Sequence, residues 1–384
     1  MNIDRVISFF TSLRLTVVCL CLGLLLVFFG TLAQVDLGLY RAQNDFFRSF
    51  FVLWGPKGAG WRIPVFPGGY LVGGLLLLNL IAAHIKRFDL SKKKIGLFLI
   101  HIGLILLLLG QLLADMLSVE SGLHLRLGES KNYSEESRRC ELAVIDPTDP
   151  DSDKVVVLGE ETLAARQPVS SPDLPFVIQV RQYYLNSELS LTNDLESSYQ
   201  ASPATEGSGV GLWLKSKPRS TSTDINDLQS ALVELTANGK SLGTWLVSKA
   251  LNPQSFTLAG RTYELALRAK RHYQPFSLEL LKFNHATYMG TDIPKDFSSR
   301  VRLRRPDTGE DREALIYMNN PLRYGGETFY QASYDPDDHG TVLQVVHNPG
   351  WLTPYISCGL IGLGMLVQFL MHLVPFLKAR LRTA

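Results

Sequence analysis

The sequence predicts a membrane protein with four transmembrane α-helices, three N-terminal and one C-terminal, and a large β-rich extracytoplasmic domain inserted between spans three and four. Three observations predict it. The 46 % of hydrophobic residues are unevenly spread: 1–115 and 351–384 are strongly apolar, while 116–350 are rich in Ser, Thr, Asp and Pro. Four runs reach the length a bilayer needs, about 20 residues. Basic residues cluster where a four-span chain would put them on one side. The domains expected are therefore a three-span region at 1–115, the β-rich domain at 116–350, and a fourth helix with its tail at 351–384. A net charge of +2 gives no sign of nucleic-acid binding.

The spans are "SLRLTVVCLCLGLLLVFFGTLAQ" (12–34), "PGGYLVGGLLLLNLIAAHI" (67–85), "IGLFLIHIGLILLLLGQLLAD" (95–115) and "WLTPYISCGLIGLGMLVQFLMHLVPF" (351–376). The first admits a signal-peptide reading, with "TLA" before Gln34 as the cleavage site, but its apolar run is long for a signal. The loop "KRFDLSKKK" (86–94) carries five Lys or Arg and one Asp. Arg5 and Arg14 precede or open the first span, and Lys378, Arg380 and Arg382 follow the fourth. The positive-inside rule then places both termini in the cytoplasm and 116–350 outside.

Cys19, Cys21 and Cys358 fall within spans, where they act as small apolar residues. Cys140 is alone in the outer domain, so no intrachain disulfide is available there. The absence of C-x-x-C argues against a thiol oxidoreductase, and the absence of C-x-x-C-H against a c-type cytochrome. No phosphate loop, nucleophile elbow or H-E-x-x-H motif occurs.

The first outer loop contains "NDFFRSFFVLWG" (44–55). Its aromatics are spaced like one side of a short helix lying at headgroup depth; a docking surface is the alternative. In the outer domain, runs such as "KVVVLG", "FVIQVRQYYL", "LVELTANGKSLGTWLVS", "SFTLAGRTYELALRAK", "SLELLKFN" and "TVLQVVHN" read as strands. Asn238-Gly239, Thr308-Gly309 and Gly325-Gly326 mark tight turns. Strands at this spacing suggest a sandwich or open barrel. The stretch 192–210 reads as a flexible loop, and 219–230 as a loop or short helix.

The histidines carry the chemistry. His101 sits inside the third span, about 10 Å from its basic end at 1.5 Å per residue. A polar group at that depth needs a partner. Gly96, Gly103 and Gly110 recur every seven residues on one face, and His101 lies roughly opposite. Glycine faces let helices approach closely, so His101 points toward a cofactor, a partner subunit, a water cavity or a backbone carbonyl. His372, six residues before Lys378, lies at a matching depth, with Gln368 one turn earlier. Two such imidazoles can clamp a haem iron axially. His84, two residues before Lys86, reads as interfacial and is a weaker candidate. His124 and His347 flank the outer membrane surface and are candidates to face each other. His272, His285 and His339 show no metal-ligand spacing. Asp335, Asp337 and Asp338 read as a turn, since a calcium loop's spacing is missing.

"SLRLTVVCLCLGLLLVFFGTLAQ", "KKKIGLFLIHIGLILLLLGQLL" and above all "NNPLRYGGETFYQASYDP" followed by "VVHNPGW" resemble the ResB-like (CcsB) family of cytochrome c biogenesis proteins. The resemblance covers essentially the whole chain. It implies a role in the system II pathway, where a ResB-like protein works with a ResC/CcsA-type membrane partner to export haem b and present it to apocytochrome c. It implies a location in the bacterial cytoplasmic membrane. It also implies that His101 is a haem axial ligand, with the opposing ligand from the partner; His372 is an intrachain runner-up that depth alone suggests. Lys92, Lys93 and Lys94 could meet the haem propionates. The family's tryptophan-rich haem motif belongs to the partner; no W-W-D occurs here. The chain is therefore expected to be part of a cytochrome c haem lyase (synthase) complex and no complete enzyme alone. The alternatives are a b-haem electron-transfer anchor, which would favour paired histidines on facing spans, and a cofactor-free membrane scaffold or receptor.

Overall fold

The computed structural model describes residues 3–56, 61–86, 94–150, 152–192, 198–220, 227–290 and 294–383. Lys92 and Lys93, most of the loop 86–94, and parts of the stretches 192–210 and 219–230 lie outside the described residues. The helices are α1 (Ile3–Phe10), α2 (Leu13–Leu37), α3 (Leu39–Ala42), α4 (Gly69–Lys86), α5 (Ile95–Leu117), α6 (Glu160–Ala165) and α7 (Thr353–Thr383). Two compact units form. One holds Met1–Val119 and Asn348–Ala384, the other Glu120–Ser220 and Asp224–His347.

In the first unit, α2, α4, α5 and α7 are each long and apolar enough to cross a membrane. The glycine face of α5 packs on α7, as its spacing predicts. A Cβ on Gly96 would lie 2.8 Å from both the Gly364 carbonyl and the Gln368 amide. One on Gly103 would meet Ile361 at 2.7 Å, and one on Gly110 would collide with Thr353. Gly364 answers from α7, since a Cβ there would stand 2.7 Å from the Gly96 carbonyl. Only hydrogen fits between these backbones, which is how small residues allow close helix contact without a hydrophobic driving force.

Elsewhere α4 packs on α2 through Asn79, which is 2 % exposed. The break between α1 and α2 interrupts the helical ladder and opens its carbonyls to other donors. The Asn79 amide donates to Phe10 O at 2.7 Å and Ser12 O at 3.1 Å, while Thr16 donates to its oxygen at 2.6 Å.

The aromatic loop departs from expectation. Phe46 and Phe47 stand on a helical turn, Gln43–Phe47, but the chain then extends into β1 (Phe51–Trp54), paired antiparallel with β2 (Ile63–Pro67). Gly68 and Gly69 explain the change. The chain doubles back so closely that a Cβ on either would strike the carbonyls of Ser49 or Phe47. Phe51, Leu53, Trp54, Ile63 and Val65 stay exposed, as an interfacial segment requires.

The second unit is β-rich. Its strands are β3 (Val119–Arg126), β4 (Ser130–Asp146), β5 (Lys154–Gly159), β6 (Pro168–Val169), β7 (Val177–Tyr184), β8 (Ser187–Ser190), β9 (Gln200–Ala201), β10 (Trp213–Ser216), β11 (Ser230–Ala237) and β12 (Lys240–Ser248). They continue with β13 (Gln254–Leu258), β14 (Arg261–Thr287), β15 (Pro294–Arg305), β16 (Glu310–Tyr317), β17 (Leu322–Tyr324), β18 (Glu327–Tyr334) and β19 (Gly340–His347).

The long strands β4 and β14 pair with each other and serve two cores. Toward one end, Cys140, Leu142 and Val144 of β4 and Tyr263, Leu265 and Leu267 of β14 face Ile178, Val180, Val233, Leu235, Trp245 and Val247. Those last residues belong to the sheet β12-β11-β7-β6, so this half is a sandwich. Toward the other end, Phe276, Leu278 and Leu280 of β14 join Leu125, Val301, Leu303, Phe329 and Val345 in a second core. The ten-stranded sheet curls around it until Tyr324 of β17 donates to Glu310 of β16.

Asn238 and Gly239 take φ of 51° and 75°, the two left-handed positions of a tight hairpin turn, and they join Ala237 to its partner Lys240. Pro275 interrupts the β4–β14 ladder, whose register shifts between Tyr273 and Leu278, because proline has no amide to donate. Among the described residues of the expected loop 192–210, β9 pairs with β10 and Gly209 is buried against Leu246.

Gly96→Leu should separate α5 from α7 and lower the thermal unfolding midpoint in detergent, by an overpacking cost of roughly 1–3 kcal/mol. Gly73→Leu, where an added Cβ meets nothing within 4 Å, should leave it near wild type.

Candidate functional site

The β unit holds five histidines, and four of them face a carboxylate. His124 lies 2.9 Å from Asp335, His272 2.7 Å from Glu136, His285 3.0 Å from Asp338 and His347 3.4 Å from Glu327. His339 Nδ1 contacts the Asp337 carbonyl. His124 and His347 thus each hold an acid of their own, on separate partners. Asp335, Asp337 and Asp338 form a turn, as expected. Its backbone closes through Asp335 N to Gly340 O and Asp338 N to Asp335 O. Their carboxylates turn to His124, Arg126 and His285. Among the described residues no group of three or more His, Cys, Asp or Glu side chains could hold a metal ion.

Cys140 is fully buried, 3.2 Å from the Tyr183 hydroxyl. Burial pushes its thiol up to about 11, against a smaller lowering by that hydroxyl. A thiol held protonated is a poor nucleophile.

The first unit holds the other three histidines. His101 projects from the face of α5 opposite Gly96, Gly103 and Gly110, which are buried against α7. It meets His84 of α4, with ring centroids 6.0 Å apart and planes at 87°. Phe98, one turn before His101, packs on the His84 ring at 5.0 Å. His84, a weaker candidate read as interfacial from the sequence, is thus brought beside His101. His372 is placed elsewhere. Its Nε2 lies 3.0 Å from Gln368 Nε2, on the helix that covers α5's glycine face. The clamp of His101 with His372 expected from matched depth is not assembled, because depth says nothing about which side of α5 a neighbour occupies.

Sequence reasoning also missed a latch at the other end of these helices. Asp115, in the last turn of α5, accepts from Tyr70 at the start of α4 and pairs with Arg48 at 2.6 Å. The signal was there: an aspartate ending an apolar run needs a cation or donor.

Comparison with known proteins bears on identity. The model of the ResB-like family matches residues 251–342. That stretch runs from just before β13 into β19 and contains the "NNPLRYGGETFYQASYDP" segment, but none of the apolar helices. The chain is also similar to Protein NrfI of Wolinella succinogenes, 28 % identical over 301 residues, which is 77 % of this chain. The match spans 29 % of that relative's length.

Two outcomes test the chemistry of the β unit. Cys140 should resist iodoacetamide at neutral pH in the folded protein and react fully in denaturant, as read by peptide mapping. The hydrogen bond from His124, aided by Arg126, holds the Asp335 carboxyl below the usual carboxylate range. A depressed folded value stabilises above the unfolded pKa of about 3.9, and that contribution disappears as pH falls through the folded value. Amide exchange at residues 335–340 should therefore show opening that rises below about pH 4, and Asp335→Asn should remove the dependence. The likeness to the ResB-like family expected from the sequence is thus shown, by the family-model match at 251–342 and by this relative.

Proposed function

We propose that this chain is a subunit of the system II cytochrome c biogenesis machinery. It binds haem b within the membrane at His101 and moves it outward with a ResC/CcsA-type partner for attachment to apocytochrome c. Both termini then lie in the cytoplasm and the β unit lies outside, in a bacterial cytoplasmic membrane. The observation that carries the reading is His101. It is an imidazole inside an apolar helix, turned away from the packed glycine face and met by the His84 ring. The ResB-like match supports the pathway. The donor set suits the cargo: apolar walls for the porphyrin ring, an imidazole for iron, and Lys86 and Lys94 closing the basic end for the propionates. The buried Cys140 thiol, pushed up to about 11, is poorly suited to exchange with apocytochrome cysteines.

The second reading, a b-haem electron-transfer anchor, gains from the meeting of His84 with His101. The fate of the haem separates the two. A carrier loses labelled haem to apocytochrome c when partner and apocytochrome are supplied; an anchor keeps it through cycles of reduction. In cells, His101→Ala should lower the yield of holocytochrome c at least tenfold at equal membrane level of the variant. A yield equal to wild type would remove His101 from the pathway.

A further inference from the structure

We propose that His84 is the second imidazole for the iron that His101 holds when the chain is without its partner. The inference rests on the reading of His101 as a haem ligand and adds the opposing ligand from this chain itself.

The geometry fits one metal between two rings. A ring nitrogen lies about 1 Å from its centroid and a metal–imidazole bond is about 2 Å long, so two imidazoles on one metal have centroids about 6 Å apart. The observed separation is 6.0 Å. Ligand number then selects the kind of metal. A bare zinc or copper ion asks for three or four protein ligands, and the described residues supply no such group. Haem needs two at most, because the porphyrin fills the other four positions.

The seam between α4 and α5 is suited to a flat apolar guest. The main packing of α5 is on α7 and that of α4 is on α2, so these two helices meet each other more lightly than either meets its main neighbour. Phe98 is three residues from His101 and shares its face, so one side chain braces His84 and walls the seam at once. Lys86 is two residues beyond His84 at the exposed end of α4, where haem propionates would emerge. His84 would then give way when a partner supplies its own ligand, a handover that needs no movement of His101.

The test is spectroscopic, on the full chain purified in detergent without a partner and loaded with haem b. Wild type should show a six-coordinate, low-spin spectrum. His84→Ala should turn it five-coordinate and high-spin, and added imidazole should restore the low-spin form. His84→Met should give a low-spin spectrum with a raised reduction potential, since Met in place of His raises it; this variant also guards against misfolding. His372→Ala should match wild type. If His84→Ala stays low-spin while His101→Ala loses haem, the inference falls and the role of His101 stands. If His101→Ala binds haem as wild type does, the reading of His101 falls first and this one with it.

Discussion

Gly96 and Gly364 meet backbone to backbone, each carbonyl standing where the other residue's Cβ would have to be. Much of the apolar unit follows from that contact. In lipid the helices gain little from hiding leucine, so closeness must come from absence of side chain. Three glycines a heptad apart make a groove along α5, and α7 fills it. With one side of α5 sealed, the other side is what remains for chemistry. His101 is on that side, and α4 brings His84 to it. A helix face made of nothing thus decides where the imidazoles meet.

A comparable economy governs the β unit. Two strands, β4 and β14, run the length of both cores, so neither half can slip register without disturbing the other. Pro275 sits where the two halves meet along β14. It breaks the ladder locally while the strand continues, and the apolar side chains pass from Tyr263, Leu265 and Leu267 in one core to Phe276, Leu278 and Leu280 in the next. Trp245 and Val247 face one layer while Leu246 between them faces another, the plain consequence of side chains alternating along a strand.

What could be read from the residues alone follows physical lines. Segregated hydropathy marks the apolar helices because each must bury its own backbone polarity. The glycine stripe needed only the helical period. The turns at Asn238-Gly239 and Gly325-Gly326 announce themselves because left-handed backbone is costly for most residues. Strand β4 was not legible: "SKNYSEESRR" carries no apolar run to mark it as a strand. Its acids are matched across the ladder, Glu136 opposite Lys270 and Glu135 opposite Arg271, so polarity was satisfied sideways between strands. Pro275 hid the continuity of β14 in the same way. The meeting of His84 and His101 escaped because it depends on which neighbour lies on which side of α5. No periodicity within one helix contains that fact.

The partners in the glycine contact are far apart in time as well as in sequence. Helix α5 leaves the ribosome before any of the β unit, and α7 after all of it. Throughout that interval the groove of α5 lacks α7, while α4 has already been made. The seam that carries the two imidazoles can therefore form before the helix that locks α5 in place is made. A later segment then seats a site formed earlier.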